Sequence, residues 1–495
     1  MTATSTATAT QRVAIDAGWL VAWDGTQHVA IEGGRLVYRD ARILFAGDPS
    51  DPACPAADRT IAADDRLVTP GLVNLHCIAN LDAQILRSDA NAPGVAKPIA
   101  TVVDPDEPHY WNHDDLRASA EYAIVTLLKG GTSSFAMVTG GAAKRWDEHE
   151  AEPDAVADAA DRFGVRAWVA HFYREAVDAL HADGTRERLW DEKRARAGLE
   201  RNVALIKRLR ARGNERLTGF LFPYQAGACS AELLQETMRQ SRALGDAHIR
   251  THIAEYAGDV TASMQRHGKP PLAWLLDTGM VGPQVCLTHA IHYRDFAEVE
   301  ALARTGTSVC HCPLVNAREG DVLNSFSRYG AAGINLGLGT DTFPPDLVEE
   351  MRIGSLLCKV VDKRRGAGSV AELFHAATVG GANALARPDL GRLEAGAAAT
   401  ADICIWNIAG LRHGPVDDPM RSFVHFASGR DCDTVIVAGR EVLKGGVVPG
   451  LDEAELMHRT QIAWDKYRRR LARWAGDAAD LVYPAAIPTR RRAPR

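Results

Sequence analysis

Four separated segments each close a short apolar run with side chains able to bind a cation. PGLVNLHCIAN carries Asn74 and His76, and THIAE carries His252 and Glu255. LTHA carries His289, and LGTDT carries Asp341. A lone histidine is more often a hydrogen-bonded structural residue than a ligand. Four such segments in succession reverse that reading. Imidazole nitrogen and carboxylate oxygen suit Zn(II), Fe(II), Co(II) or Mn(II), and a catalytic site of this kind uses about three protein ligands. The cation lowers the pKa of bound water from roughly 16 toward about 7, so hydroxide exists at neutral pH. A nearby carboxylate can then pass the proton to a leaving nitrogen. A divalent transition metal is therefore expected, with a small molecule as substrate.

These side chains need elements that bring them together. Each segment reads as a strand with its polar residue at the C-terminal end, where barrel enzymes keep their active sites. Helical segments with apolar residues at three- and four-residue spacing alternate with them, such as AELLQETMRQSRALG and DFAEVEALARTG. The expected fold class is α/β, a (β/α)8 TIM-like barrel over 70–395. Short alternating runs in 12–69 and again in 396–450 predict a small β-sandwich domain formed by both termini. Residues 1–11 read as a disordered leader, and 451–495 as a C-terminal helix with a basic tail. The charged run EKRARAGLERNVALIKRLRARGNERL reads as the outer face of a helix.

Totals bound the rest. The chain has 495 residues, enough for a barrel plus a smaller domain. Its net charge of −6 argues against nucleic acid or an anionic membrane as the main partner. No apolar run reaches the roughly 20 residues that span a bilayer. The nine cysteines are scattered with no C-x-x-C pair, which fits a reducing cytoplasm. Cys77, Cys310 and Cys312 read as small core residues.

The motif order from Pro70 to Asp341 resembles the amidohydrolase superfamily. LGRLEAGAAATADICIWN and CDTVIVAGREVLKGG resemble that family's return strand and final hairpin. The resemblance implies His76, His252 and Asp341 as metal ligands. It implies that His289 bonds the substrate carbonyl or the hydroxide, and that Glu255 shuttles the proton. RAWVAHFYREA, taken as the fourth strand, has no lysine, so a single metal is implied. Members are often oligomers, so a homo-oligomer is expected.

One motif departs from the family. Its usual His-x-His reads His76-Cys77-Ile78 here, and isoleucine cannot ligate. Residues two apart on a strand share a side, so Asn74, His76 and Ile78 are expected to face the barrel interior. Either Asn74 supplies an oxygen or water fills the gap. An Asn-x-His site resembles the phenylurea hydrolase and molinate hydrolase branch, as does NLHCIANLDAQILR. That resemblance implies hydrolysis of a urea, carbamate or thiocarbamate, with an N-aryl urea as first choice. The alternative is an aminohydrolase of a purine, pterin or s-triazine ring. An alternative of another class is a barrel that binds a ligand without catalysis.

Further residues invite two readings each. Tyr173 and Arg174 could line the pocket or form a rim salt bridge. Trp111 and Tyr110, in a long loop, could cap an aryl group or only pack. His311 reads as structural, with Asn316 in the loop beyond it as a candidate pocket residue.

Overall fold

The computed structural model describes residues 11–79, 81, 111–139, 149–180, 186–324, 326–396 and 399–475. The expected leader falls almost wholly outside them, as do Tyr110 and the basic tail.

Within the described residues, eight parallel strands follow one another along the chain. They are β1 (Leu72–Ile78), β2 (Thr132–Val138), β3 (Arg166–Val169), β4 (Leu217–Gly219), β5 (Ile249–Ile253), β6 (Val285–His289), β7 (Ser308–His311) and β8 (Leu336–Leu338). The first four pair in sequence order into one sheet and the last four into another. Isolated parallel bridges join Leu221 to Ile249 and Gln225 to His252 at one seam. At the other, Cys77 bridges Asp341, and His76 O accepts from the N–H groups of Thr340 and Asp341, each at 2.8 Å. The architecture is mixed α/β. RAWVAHFYREA supplies the third parallel strand, not the fourth, because 132–138 and 166–169 precede Leu217–Gly219. The fourth segment, LTGFLFPYQ, also lacks lysine.

Helices stand between the strands where periodicity predicts them. Ser230 caps the helix Ala231–Ala243, and Asp295 with Glu298 forms a capping box on Phe296–Ala303. The charged run folds as Glu192–Ala211 and buries Leu199, Leu205, Ile206 and Leu209. Near its C-terminal end, Arg208, Arg212 and Arg216 pair with Asp154, Asp158 and Asp161 of the helix Glu152–Phe163. That face is solvated and tied to its neighbour, as expected.

The segments expected to form a sandwich make one hydrogen-bonded sheet of eight strands. Arg12–Trp23 and Arg59–Pro70 run parallel at its centre. Each is 12 residues long, so each has room for partners on both sides. Ile403–Asn407 and the hairpin Cys432–Val437/Arg440–Leu443 complete one flank. This sheet positions β1 directly, since Arg59–Pro70 leads through Gly71 into it. The Gly71 N–H donates to Asp402 O at 2.9 Å, and a Cβ there would collide with Ser133. Asp402 also forms a buried ion pair with Arg166 at 2.8 Å, fastening the start of β3 to the same sheet. None of the described helices is long and apolar enough to cross a membrane.

Candidate active site

His76, His252, His289 and Asp341 converge where β1, β5, β6 and β8 end. His76 Nε2 lies 3.2 Å from His252 Nε2 and 3.1 Å from Asp341 Oδ1. His289 Nε2 stands farther off, 3.9 Å from Asp341 Oδ2 and 3.8 Å from Glu255 Oε2. The three histidines present ligand atoms within 4.8 Å of one another. The tighter set is His76, His252 and Asp341. Ligand atoms about 2.0–2.1 Å from a tetrahedral zinc are roughly 3.3 Å apart, which is close to these edges.

Electrostatics favour a cation at that point. His252 Nδ1 faces the carbonyl of Tyr224 at 2.5 Å. A carbonyl only accepts, so Nδ1 carries the hydrogen and Nε2 keeps its lone pair. Burial lowers His76 to about 4, with Asp341 opposing the shift, and holds His252 well below its ordinary value. Both rings are therefore neutral at pH 7. For Asp341 burial alone would raise the pKa, but His76, His289 and His252 outweigh it and keep the carboxylate charged. Two imidazole nitrogens and one carboxylate oxygen thus crowd together, a donor set that fits a divalent metal. Among the described residues His289 has no hydrogen-bond partner at either ring nitrogen, although it is buried.

Glu255 follows β5 at the edge of this group. Burial pushes its carboxyl above the usual range, and Asp341 adds to the shift while His289 opposes it. A carboxyl poised to hold and release a proton is what transfer to a leaving group requires. The backbone is bent to aim these side chains. Ala254, His289, Ala290 and Asp341 all have left-handed φ, between 49° and 69°. Such conformations cost on the order of 1–3 kcal/mol each and gather at functional sites.

The expected interior placement of Asn74 fails for a local reason. Asn74 pairs with Phe135 and Cys77 with Met137, so β1 has one residue more than β2 across that interval. This bulge breaks strict alternation. Val73 and Leu75 pack in one cluster with Ala136, Trp168, Phe220, Cys286 and Cys310. The extra residue turns His76 toward that same side. Asn74 Nδ2 instead donates to Thr340 Oγ1 at 2.9 Å, while its Oδ1 accepts from the N–H groups of His76 and Thr340 at 3.2 and 3.3 Å.

The other pocket candidates divide. Tyr173 is fully buried and bonds Thr237 through its hydroxyl at 2.9 Å, so it packs away from the metal ligands. Trp111 donates to Ala463 O at 3.1 Å and packs against Tyr467 of the helix Glu453–Ala475, a packing role rather than a cap. Asn316 sits 3.4 Å from His311 Nδ1 and steadies that ring. Arg174 lies over the rings of Phe172 and Tyr224, and the Tyr224 ring packs tilted against His252 with centroids 4.9 Å apart. Tyr224 and Arg250 were not anticipated. Tyr224 ends the apolar run LFPY as His252 ends its own, which was a usable signal.

Comparison with known proteins agrees with this geometry. Residues 67–442 match the family described as Amidohydrolase family. The chain belongs to that family. It is therefore an amidohydrolase, a hydrolase acting on C–N bonds other than peptide bonds, and the expected divalent metal stands. The 5'-deoxyadenosine deaminase of Methanothermobacter thermautotrophicus is 29% identical over 437 residues, covering 88% of this chain and 94% of that one. The 5-methylthioadenosine/S-adenosylhomocysteine deaminase of Desulforudis audaxviator is 28% identical over 444 residues, with the same coverage. An adenosine deaminase from Xanthomonas campestris, solved with bound zinc, superposes with a TM-score of 0.75 at 22% identity, covering 92% of this amidohydrolase and 98% of that chain. These relatives overturn the expected N-aryl urea hydrolase and its phenylurea and molinate branch. The Asn-x-His reading behind that expectation took Asn74 for a ligand, whereas its amide is engaged elsewhere.

Proposed function

We propose that this amidohydrolase is an aminohydrolase that releases ammonia from the 6-amino group of an adenine nucleoside. The observation that carries the substrate class is its similarity to adenine-nucleoside deaminases along nearly the full length of both chains. His76, His252 and Asp341 hold the metal, and His289 and Glu255 face the reacting carbon from the other side. When bound, the metal supplies Lewis-acid activation of water. Glu255 takes a proton from the attacking water and delivers it to the departing amino nitrogen. His289 donates a hydrogen bond to the oxygen that becomes the product carbonyl. Water and the amine thus become ammonia and a 6-oxopurine. Tyr224, with Arg174 behind it, walls the pocket beside His252. Asn74 acts as a fastener between β1 and β8, and Ile78 leaves the ligand count at three.

The same reading treats the eight parallel strands as a closed (β/α)8 barrel over 70–395. The strands of 12–69 and 396–450 then form a separate small domain.

The test is ammonia release by zinc-loaded protein from 5'-deoxyadenosine, methylthioadenosine and S-adenosylhomocysteine, with guanine and an aminotriazine alongside. Turnover of at least one adenine nucleoside is expected. Release from guanine or the triazine alone would overturn the substrate class, and no release from any would overturn deamination.

A further inference from the structure

Arg250 lies fully buried on β5, two residues before His252. Among the described residues no carboxylate pairs with it. Its guanidinium sits over the rings of Phe220 and Phe222, 4.6 and 4.9 Å from their centroids. Nη1 donates to two backbone carbonyls, Leu75 O of β1 and Ala136 O of β2, the latter at 2.7 Å. Among the described residues Nε and Nη2 have no hydrogen-bond partner. Burying an unpaired charge is costly, and an apolar side chain of similar volume would fill the space at lower cost. The aromatic faces and the two carbonyls offset that cost only in part.

The place of those bonds explains the residue. Leu75 lies inside the bulge of β1, between Asn74 and Cys77, where the ladder to β2 loses register. A bulge leaves backbone groups without ladder partners. Arg250 supplies a donor to one of them and joins it to β2 through the same nitrogen. It thereby holds the bend that turns His76 toward His252, from the strand that carries His252 itself.

We propose that Arg250 is a positioning residue that sets the separation of His76 and His252, and through it the affinity for a divalent metal. Arg250 has this role only if the metal site exists as proposed above. The test uses the full chain and zinc alone, with zinc affinity measured by competition against a chromogenic chelator. Arg250→Met should bind zinc roughly tenfold to a hundredfold more weakly, the range seen when partners of metal ligands are removed. Arg250→Lys keeps the charge but not the rigid fork, so its loss should be intermediate. The ligand-field spectrum of cobalt-substituted Arg250→Lys should differ from that of wild type. Wild-type zinc affinity in Arg250→Met, with only a lower melting temperature, would overturn the role. If Arg250→Met does not fold, wild-type affinity together with a wild-type cobalt spectrum in Arg250→Lys would do so. Wild-type protein that takes up no zinc would overturn the metal site and this role together.

Discussion

Side-chain surroundings, more than side-chain identity, separate the roles of Glu255 and Asp341. Asp341 is buried and Glu255 part-buried, both near His289, yet Glu255 is pushed up and Asp341 held down. Asp341 touches His76 and stays charged. Glu255 meets a histidine only at 3.8 Å, so burial wins. Glu255→Gln should therefore keep zinc bound while turnover falls by at least roughly a hundredfold. Metal analysis alongside an ammonia assay checks this, and substantial activity would remove Glu255 from proton transfer. The raised pKa also has a stability consequence. The folded chain binds that proton more tightly than the unfolded chain, so this contribution is complete below the unfolded value and is lost as pH rises through the folded one. Metal-free Glu255→Gln should melt above metal-free wild type near pH 8, with the gap closing toward about pH 5. Asn74 makes a second case. Asn74→Ala strips a buried acceptor from the His76 N–H and a donor from Thr340 Oγ1, which costs about 1–3 kcal/mol in denaturant unfolding. Zinc stoichiometry should stay at one per chain; loss of the ion at unchanged stability would return Asn74 to the ligand set.

At the scale of elements, the strands were legible and their joints were not. Apolar runs bounded by polar ends marked β1, β5, β6 and β8, and apolar residues at three- and four-residue spacing marked helices such as Ala231–Ala243. The bulge in β1 left no such mark, because it depends on how β2 pairs with β1. A one-residue change of phase reverses which side chains face a given side, and it removed Asn74 from the expected set. The two readings of Trp111 stayed open for a similar reason, since its hydrogen-bond partner Ala463 lies far along the chain on the helix Glu453–Ala475. The Arg166–Asp402 pair is another long-range joint, 4% and 1% exposed, tying β3 to the terminal sheet. Arg166→Ala leaves Asp402 charged, buried and short of its partner, so unfolding free energy should fall by about 3–5 kcal/mol. Thermal or denaturant unfolding measures this, and a loss below about 1 kcal/mol would mean that the pair is not holding the two parts together.

For the whole molecule, the metal couples folding to chemistry. The donors His76, His252 and Asp341 stand crowded together in the folded chain, so a cation bound among them stabilises the fold. Removing metal with a chelator should abolish ammonia release and lower the melting temperature, and added zinc should restore both. Activity that survives complete removal would exclude metal-assisted hydrolysis. The order in which ligand types recur along the chain, and the strand ends that carry them, were set by the sequence alone, because each depends only on neighbouring residues. So were the helices that separate them and the strands at both termini. Packing decided which lone pairs meet, how far His289 stands from the others, and that a buried arginine braces the bend beside His76. Those outcomes depend on contacts between residues hundreds of positions apart, and such contacts exist only once the strands have assembled.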